Sequence, residues 1–131
     1  MPISAAEQNR AVLAIANAGD DYVALCSADP GASGANQIAA AGRAQIDLGR
    51  EAADPAGEIK NLARVDFAPT ALVENATHFA VMDAATDGNV RAWGRLVDHQ
   101  GTAATISQQS TDDILRVPAG AIVVRIPAGS I

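Results

Sequence analysis

The first ordered pattern in the chain has the period of a helix. Ser4 and Glu7 stand at the spacing of a capping box, which marks a helix N-terminus, and Gly19 is a matching stop. Gln8 falls on the polar side of this segment. A narrow apolar stripe at near-helical spacing consists of Ala11, Val12, Ile15 and Ala16. The pattern predicts a helix within residues 1–20 that packs against another part of the protein.

After residue 19 the pattern changes to short alternating runs closed by glycine, proline, asparagine or aspartate. In the first run Val23 and Leu25 share one face. The other face carries Tyr22, Ala24 and Cys26. Further runs cover residues 43–49, 58–69, 76–86, 89–98, 102–108, 113–118 and 121–127. Short, regularly spaced strands predict a mainly β fold, an antiparallel β-sandwich of the jelly-roll type, over residues 21–131.

Two sets of turn residues separate predicted strands. Asp87, Gly88 and Asn89 join the best strand pair, and Asp-Gly is a preferred centre for a tight hairpin turn that requires positive φ. Pro118 and Gly120 belong to a Pro-Ala-Gly tripeptide that is typical of a turn at the end of a strand. We therefore interpret all five as structural turn residues.

The loop "SADPGASGANQIA", residues 27–39, follows the first strand and contains little that can pack. Asp29, Pro30 and Gly31 predict a tight turn, and Gly34 allows an unusual φ. No convergent charged group accompanies them, so a structural crossover that also meets a neighbouring subunit is favoured over a small-ligand loop. The candidate interface residues of the chain are Ile15, Asp29, Pro30, Gly31, Gly34, Asn36 and Trp93.

Composition adds an expectation of assembly. Hydrophobic residues make up 49% of the 131 positions but aromatic residues only 3%, so the core must be built from small side chains. Such a core buries little surface, and copies are expected to associate, with a trimer favoured, through the N-terminal segment or the 29–36 loop. The net charge of −6 and the scattered basic residues argue against a nucleic-acid partner. No apolar run is long enough to predict a membrane span.

Motifs that carry chemistry are missing from the sequence. His78 and His99 share no metal-binding spacing, and no serine lies in a nucleophile motif. Cys26 is the only cysteine and has apolar neighbours, so we interpret it as a small buried side chain. For Trp93, a core or interface anchor is favoured over a stacking platform. The expectation is a protein without enzymatic activity, cofactor or metal.

The order of landmarks along the chain carries a resemblance. They are "YVALCSADPGASGANQIA", the arginine in "GRAQI", a strand reaching Phe67, "ATHFAVMDAATDGNVRAWGRL" and "DDILRVPAGAIVVRI". In that order they resemble a family of small tailed-bacteriophage virion proteins, described variously as tail-fibre, minor tail or head-decoration proteins. Gln37 departs from the family pattern, which has an acidic residue there, and Cys26-Ser27 replaces a His-Thr-like pair.

The resemblance implies a β-sandwich present in many copies on a virion that is assembled in the host cytoplasm. The leading hypothesis is a capsid decoration protein that binds the major capsid protein and stabilises the assembled shell. A tail or tail-fibre component is the second hypothesis. A host-surface carbohydrate-binding module, from another functional class, is the third, with few aromatic side chains to form its platform.

Overall fold

The computed structural model describes residues 4–15, 21–51, 54–98, 100–108, 110 and 115–125. Within these residues one α-helix, α1, spans Ala5–Leu13, and a 3-10 turn spans Ala39–Ala41. The strands are β1 Tyr22–Cys26, β2 Arg43–Gln45, β3 Leu48–Gly49, β4 Glu58–Asn61, β5 Val65–Phe67, β6 His78–Met82, β7 Val90–Arg95, β8 Leu115–Val117 and β9 Val123–Arg125. The prediction of a mainly β protein with one N-terminal helix is confirmed.

The strands form two main antiparallel sheets and one short pair. The first sheet has the order β2-β1-β6-β7, the second has the order β3-β4-β9, and β5 pairs with β8. Only two residues separate β2 from β3, so the chain passes directly from one sheet to the other at that edge. At the opposite edge β7 lies beside β9, and the Val97 amide donates to the Ala121 carbonyl at 3.1 Å. These features fit the predicted β-sandwich, with both of its edges drawn together.

The main core lies between the sheets and is built largely from branched aliphatic side chains. Phe79 on β6 is completely buried in it. Opposite Phe79, a Cβ on Gly94 would stand 3.2 Å from the phenyl ring, so glycine provides the room that the ring needs. The few aromatic residues thus fill space that alanine and valine leave open.

Alternation in β1 follows the prediction, and both faces of the strand are buried. Val23 and Leu25 point into the main core. The opposite face contributes to a second, smaller apolar cluster consisting of Ala24, Cys26, Ala80 and Met82, with Tyr22 and Val90 packed against it. The sequence pattern therefore assigned the residues of β1 to the correct faces, and the structure adds that both faces pack against apolar clusters.

Helix α1 begins as predicted and ends earlier. The Ser4 hydroxyl accepts the Glu7 amide at 3.2 Å, while the Glu7 carboxylate pairs with Arg10 instead of completing the capping box. The helix ends at Leu13, and residues 16–20, with the predicted stop at Gly19, lie outside the described part of the chain. The expected helix length is therefore wrong for the described residues.

The helix packs on its own sandwich. Val12 is completely buried in the core, and the Asn9 side-chain oxygen accepts the Gly57 amide at 2.8 Å, just before β4. Gln8, predicted on the polar side, is only 8% exposed, because the contact with β4 covers a wider helix face than the apolar stripe. Its assignment to the polar side is therefore wrong.

The predicted strand at 58–69 is divided by a bend after Asn61. This buried side chain donates to the Ala63 and Pro118 carbonyls, each at 2.9 Å, and accepts the Ile122 amide at 3.0 Å. It replaces ladder hydrogen bonds that a continuous strand would make, so β4 ends and β5 starts in another sheet. The predicted strand at 102–108 was also wrong, since it forms only isolated bridges at Ala103 and Ile106.

The β6–β7 connection differs from a tight hairpin turn. The Asp83 amide donates to the Asn89 carbonyl at 3.1 Å, so residues 84–88 form a five-residue loop. Asp87 and Gly88 both have positive φ, at 56° and 77°. The Asp83 carboxylate accepts the Asn89 amide at 2.7 Å and closes the loop from inside. The predicted residues are at the turn, but a carboxylate outside the motif holds it together.

Candidate functional site

The sequence candidates lie in two separate regions. The first, which we call the loop cluster, comprises residues 27–37, Arg43 and residues 83–89. The second, which we call the β7–β9 groove, is lined by Ile15 at the end of the helical segment, by β7 residues from Ala92, and by Val123, Val124 and Arg125 of β9. Ile15 and Trp93, which lie far apart in sequence, meet in this groove, whereas the other interface candidates belong to the loop cluster.

The 27–36 loop is closed by main-chain pairing at its base. The Ser27 amide donates to the Asn36 carbonyl at 3.0 Å, and the Ile38 amide donates to the Leu25 carbonyl at 2.8 Å. Inside the loop, the Asp29 carboxylate accepts the Gly31 amide at 3.0 Å. The Asn36 side chain donates to the Asp29 carbonyl at 3.0 Å. Asp29 and Asn36 therefore hold the loop's own backbone.

The same loop folds back over the outer face of the first sheet. Pro30 is buried, and a Cβ on Gly34 would lie 3.0 Å from Cγ2 of Val90, which packs on the small apolar cluster. Gly34 has φ of 72°, a conformation that glycine adopts without strain. Close approach and backbone conformation both require glycine here, so the loop serves as a cover for its own sheet.

Arg43 joins the other two parts of the loop cluster, residues 27–37 and residues 83–89. Its Nη1 donates to the carbonyls of Ala84 at 2.9 Å and Asp87 at 2.6 Å, and its Nη2 donates to the Gln37 side-chain oxygen at 3.2 Å. A depression of about 300 Å³ lies around these groups. Because the guanidinium already binds backbone carbonyls and a side-chain amide, it is better suited to positioning the loops than to binding a charged ligand.

Trp93 owes its position in the groove to an irregularity in β7. Met82 pairs with Val90 but Val81 pairs with Ala92, so Arg91 is an extra residue, a β-bulge. In a regular ladder from the Met82–Val90 pair, Trp93 would face Phe79 in the core. With the bulge, Trp93 pairs with Ala80 on the outer face and is 45% exposed. Of the two roles expected for Trp93, the core role is therefore wrong, and the interface role stays a prediction.

Arg91 itself is held in place next to the groove. Its guanidinium donates to the Ala14 carbonyl at 3.0 Å, at the C-terminal end of α1. It also lies 3.7 Å from the nearly buried carboxylate of Asp21. The bulged residue thus connects β7 to the helical segment and to the start of β1, which stabilises the bulge.

Two further arginines line the groove without such partners. Arg95 on β7 and Arg125 on β9 are exposed, and the side chain of neither forms a hydrogen bond or ion pair with any residue that the structure describes. Glu58 pairs with Arg125 across the β4–β9 ladder and lines the same depression without forming an ion pair to it. Sequence reasoning missed both arginines, because single basic residues on predicted strands gave no sign that the fold would bring them together.

The groove consists of two adjoining depressions. One, of about 360 Å³, is lined by Trp93 and Ile15. The other, of about 280 Å³, is lined by Arg95 and Glu58. Val123 and Arg125 line both, so the depressions are continuous. An apolar platform therefore lies next to two cationic side chains that have no hydrogen-bond or ion-pair partner among the described residues.

Two pKa values, one next to the loop cluster at Cys26 and one within it at Asp83, follow from the surrounding packing. Burial raises the pKa of the Cys26 thiol to about 11, and the Asp29 carboxylate acts in the same direction. The thiol is therefore neutral at pH 7 and poorly nucleophilic. The Asn89 amide lowers the pKa of the Asp83 carboxyl by hydrogen bonding to it. These shifts accompany structural roles and do not prepare a group for catalysis.

The described residues contain no group of three histidine, cysteine, aspartate or glutamate side chains arranged to hold a metal ion. None of the helices among them has the length and apolar character needed to span a membrane. His99 lies outside the residues that the structure describes. His78 lies on β6, where its Nδ1 is 2.8 Å from the Thr77 hydroxyl.

Similarity to known proteins assigns this chain to a family. No curated protein matches the chain. A family model described as "Podophage GP4 fiber I protein gp80" matches residues 10–125, which confirms the resemblance to tailed-phage virion proteins. The match runs from the middle of α1 through the last residue of β9 and includes both the loop cluster and the groove. Because it covers most of the 131 residues, the chain belongs to the podophage GP4 fiber I protein gp80 family.

Proposed function

We propose that this chain is a structural component of a phage tail fibre. The observation that carries the proposal is the match of residues 10–125 to a family described as a fibre protein. This favours the tail-fibre hypothesis over capsid decoration, which was the leading expectation from sequence. The role is proposed to be structural and non-enzymatic, since the polar groups of the loop cluster chiefly bind its own backbone.

The proposal includes association with other copies of the chain. The described core contains few aromatic side chains, and several leucines remain substantially exposed. They are Leu13 on α1, Leu62 after β4, and Leu72. Contact between copies would bury the exposed part of these side chains, and because each is already more than half buried, full cover would contribute about 1 kcal/mol per leucine. A trimer remains the proposed symmetry, with contacts through the N-terminal segment or the 29–36 loop.

Labelling of intact virions tests the location. The chain is produced with an N-terminal epitope in the infected host, and purified particles are stained with gold-labelled antibody and imaged. We expect gold at the tail, and subtomogram averaging of the labelled feature gives the number of copies. Gold spread over the head surface would contradict the fibre proposal and support a decoration protein bound to the major capsid protein.

A further inference from the structure

The exposed tryptophan of the groove is unusual for this chain. Trp93 is its only tryptophan, and a bulge with its own anchoring contacts holds the side chain outside the core. Bulges often re-aim a side chain next to a functional site. The groove therefore presents an indole face where a regular strand would present none.

The arginines beside it are equally suited to binding. Arg95 and Arg125 point into the groove from neighbouring strands, neither forms an ion pair with a described residue, and together with Glu58 they leave the depression with a net positive charge. Guanidinium groups bind carboxylates through two parallel hydrogen bonds, and such charge-assisted bonds are among the strongest in proteins. In a chain with net charge −6, an unpaired cationic pair selects for a ligand that carries negative charge.

The size of the site separates two kinds of acidic partner. A standard protein interface buries roughly 800 Å² on each side around an apolar centre. The groove offers one indole face and shallow depressions of about 360 and 280 Å³. These lie near the lower end of small-ligand sites, which range over roughly 300–1,000 Å³. The dimensions favour a ligand of a few rings over a folded protein.

We propose that the β7–β9 groove binds an acidic saccharide. One sugar ring lies with its apolar face on the Trp93 indole, and a carboxylate of the adjoining sugar binds Arg95 and Arg125. The Glu58 carboxylate, which lines the same depression, accepts hydroxyl hydrogen bonds. A saccharide with an apolar ring face, hydroxyls and a carboxylate matches these three kinds of group together.

Intrinsic fluorescence gives a direct measurement, because the chain has one tryptophan. The full chain is titrated with trigalacturonic acid, with its neutral methyl ester and with hexaglutamate. We expect trigalacturonic acid to shift Trp93 emission saturably, with the methyl ester and hexaglutamate at least tenfold weaker. Raising the salt concentration should weaken the binding, because the charges are exposed.

Variants assign the binding to the groove. Arg95→Gln combined with Arg125→Gln should weaken trigalacturonic acid binding at least tenfold, while Trp93→Tyr should retain most of it. Arg116→Gln is the matched control, since Arg116 is exposed on β8 and pairs with Asp66 at 2.7 Å. Neither Trp93→Tyr nor Trp93→Ala retains the tryptophan that reports binding, so both are measured by calorimetry, and binding by Trp93→Ala should be lost.

Three outcomes would overturn the proposal. The first is no saturable response to trigalacturonic acid at millimolar concentration. The second is an equal response to hexaglutamate, which would indicate an acidic protein partner. The third is unchanged binding by the double arginine variant, whose fold is checked by circular dichroism. None of these outcomes depends on where the chain lies in the virion, so failure here and failure of the fibre proposal are distinguishable.

Discussion

Arg43 and Arg95 are arginines on edge strands of the same sheet, yet their surroundings differ completely. Arg43 donates to three oxygen atoms of the loop cluster, two of them backbone carbonyls. The Arg95 side chain makes no hydrogen bond or ion pair with any residue in the described ranges. The comparison shows that the partners of a charged side chain, more than its exposure, distinguish an internal support from a surface that is free to bind.

The difference has an energetic meaning. A hydrogen bond to a charged group typically contributes about 1.5–3 kcal/mol, and its loss can leave a carbonyl without a partner. An exposed arginine with no partner contributes almost nothing to folding. We therefore expect substitutions in the loop cluster to reduce stability, and substitutions at the exposed arginines of the groove to leave the fold intact.

The largest effect is expected from Gly88→Val. Valine at this positive φ is strained, and its Cβ would overlap the Asp83 carboxylate and lie 2.9 Å from Cβ of Ala84. The strain and the disturbed Asp83–Asn89 contact should lower the free energy of unfolding by about 2–4 kcal/mol. Urea denaturation measures the loss.

The matched control for Gly88 lies beside the groove. Gly101 has a similar φ of 80°, but no atom of the described residues lies within 4 Å of its added Cβ. Gly101→Val should therefore cost only the backbone strain, roughly 1–2 kcal/mol. Equal losses for the two variants would show that the crowding around Asp83 does not stabilise the turn.

Arg43→Ala should have the next largest effect. It removes the donors that join Gln37 to the carbonyls of Ala84 and Asp87. We expect a loss of about 2–3 kcal/mol, because the loops are partly exposed and water replaces some of the bonds. Arg95→Ala, the matched substitution in the groove, should stay within about 0.5 kcal/mol of the parent protein. Similar unfolding free energies for both variants would contradict the comparison.

The smallest effect concerns pH and comes from Cys26, which lies on β1 next to the loop cluster. The pKa of Cys26 is about 11 in the folded protein and lies above its unfolded value, so the neutral thiol stabilises the fold below about pH 8.5. This contribution decreases as the pH rises towards 11, by roughly 2 kcal/mol in total. Denaturation at pH 8 and pH 10.5 measures the loss.

Cys26→Ala provides the control for the pH effect. The pKa of Lys60 is also raised, chiefly by its hydrogen bond to Asp54, and its contribution likewise declines at high pH. Because the alanine variant retains Lys60, the difference between the two proteins isolates the thiol. If both lose the same stability between pH 8 and pH 10.5, the thiol does not titrate as described.

Local patterns could be predicted from sequence wherever their cause was local. The Ser4 cap and the two faces of β1 depend on residues only a few positions apart. The bend at Asn61 was missed because its partners include Pro118 and Ile122, from a distant turn. A single buried asparagine on a strand carries no signal for partners so far along the chain.

The candidate site divides in the same way. The loop was correctly associated with turn geometry at Gly34, but the role of Arg43 depends on carbonyls more than 40 residues away. The resemblance implied an acidic residue where Gln37 stands; the Gln37 amide donates to the Gly34 carbonyl at 2.9 Å, which a carboxylate could not do. The bulge at Arg91 was not predicted, because the sequence of residues 89–98 is also compatible with a regular strand.

Because Cys26 is buried beneath the 27–36 loop, the rate at which a thiol reagent labels it measures how often that loop opens. The side chain is fully buried, and it is the only cysteine in the sequence. A thiol reagent can therefore react only in molecules whose cover has opened, and each labelling event reports one opening. Under conditions where closing is faster than labelling, the rate gives the opening equilibrium of one loop, without unfolding the protein.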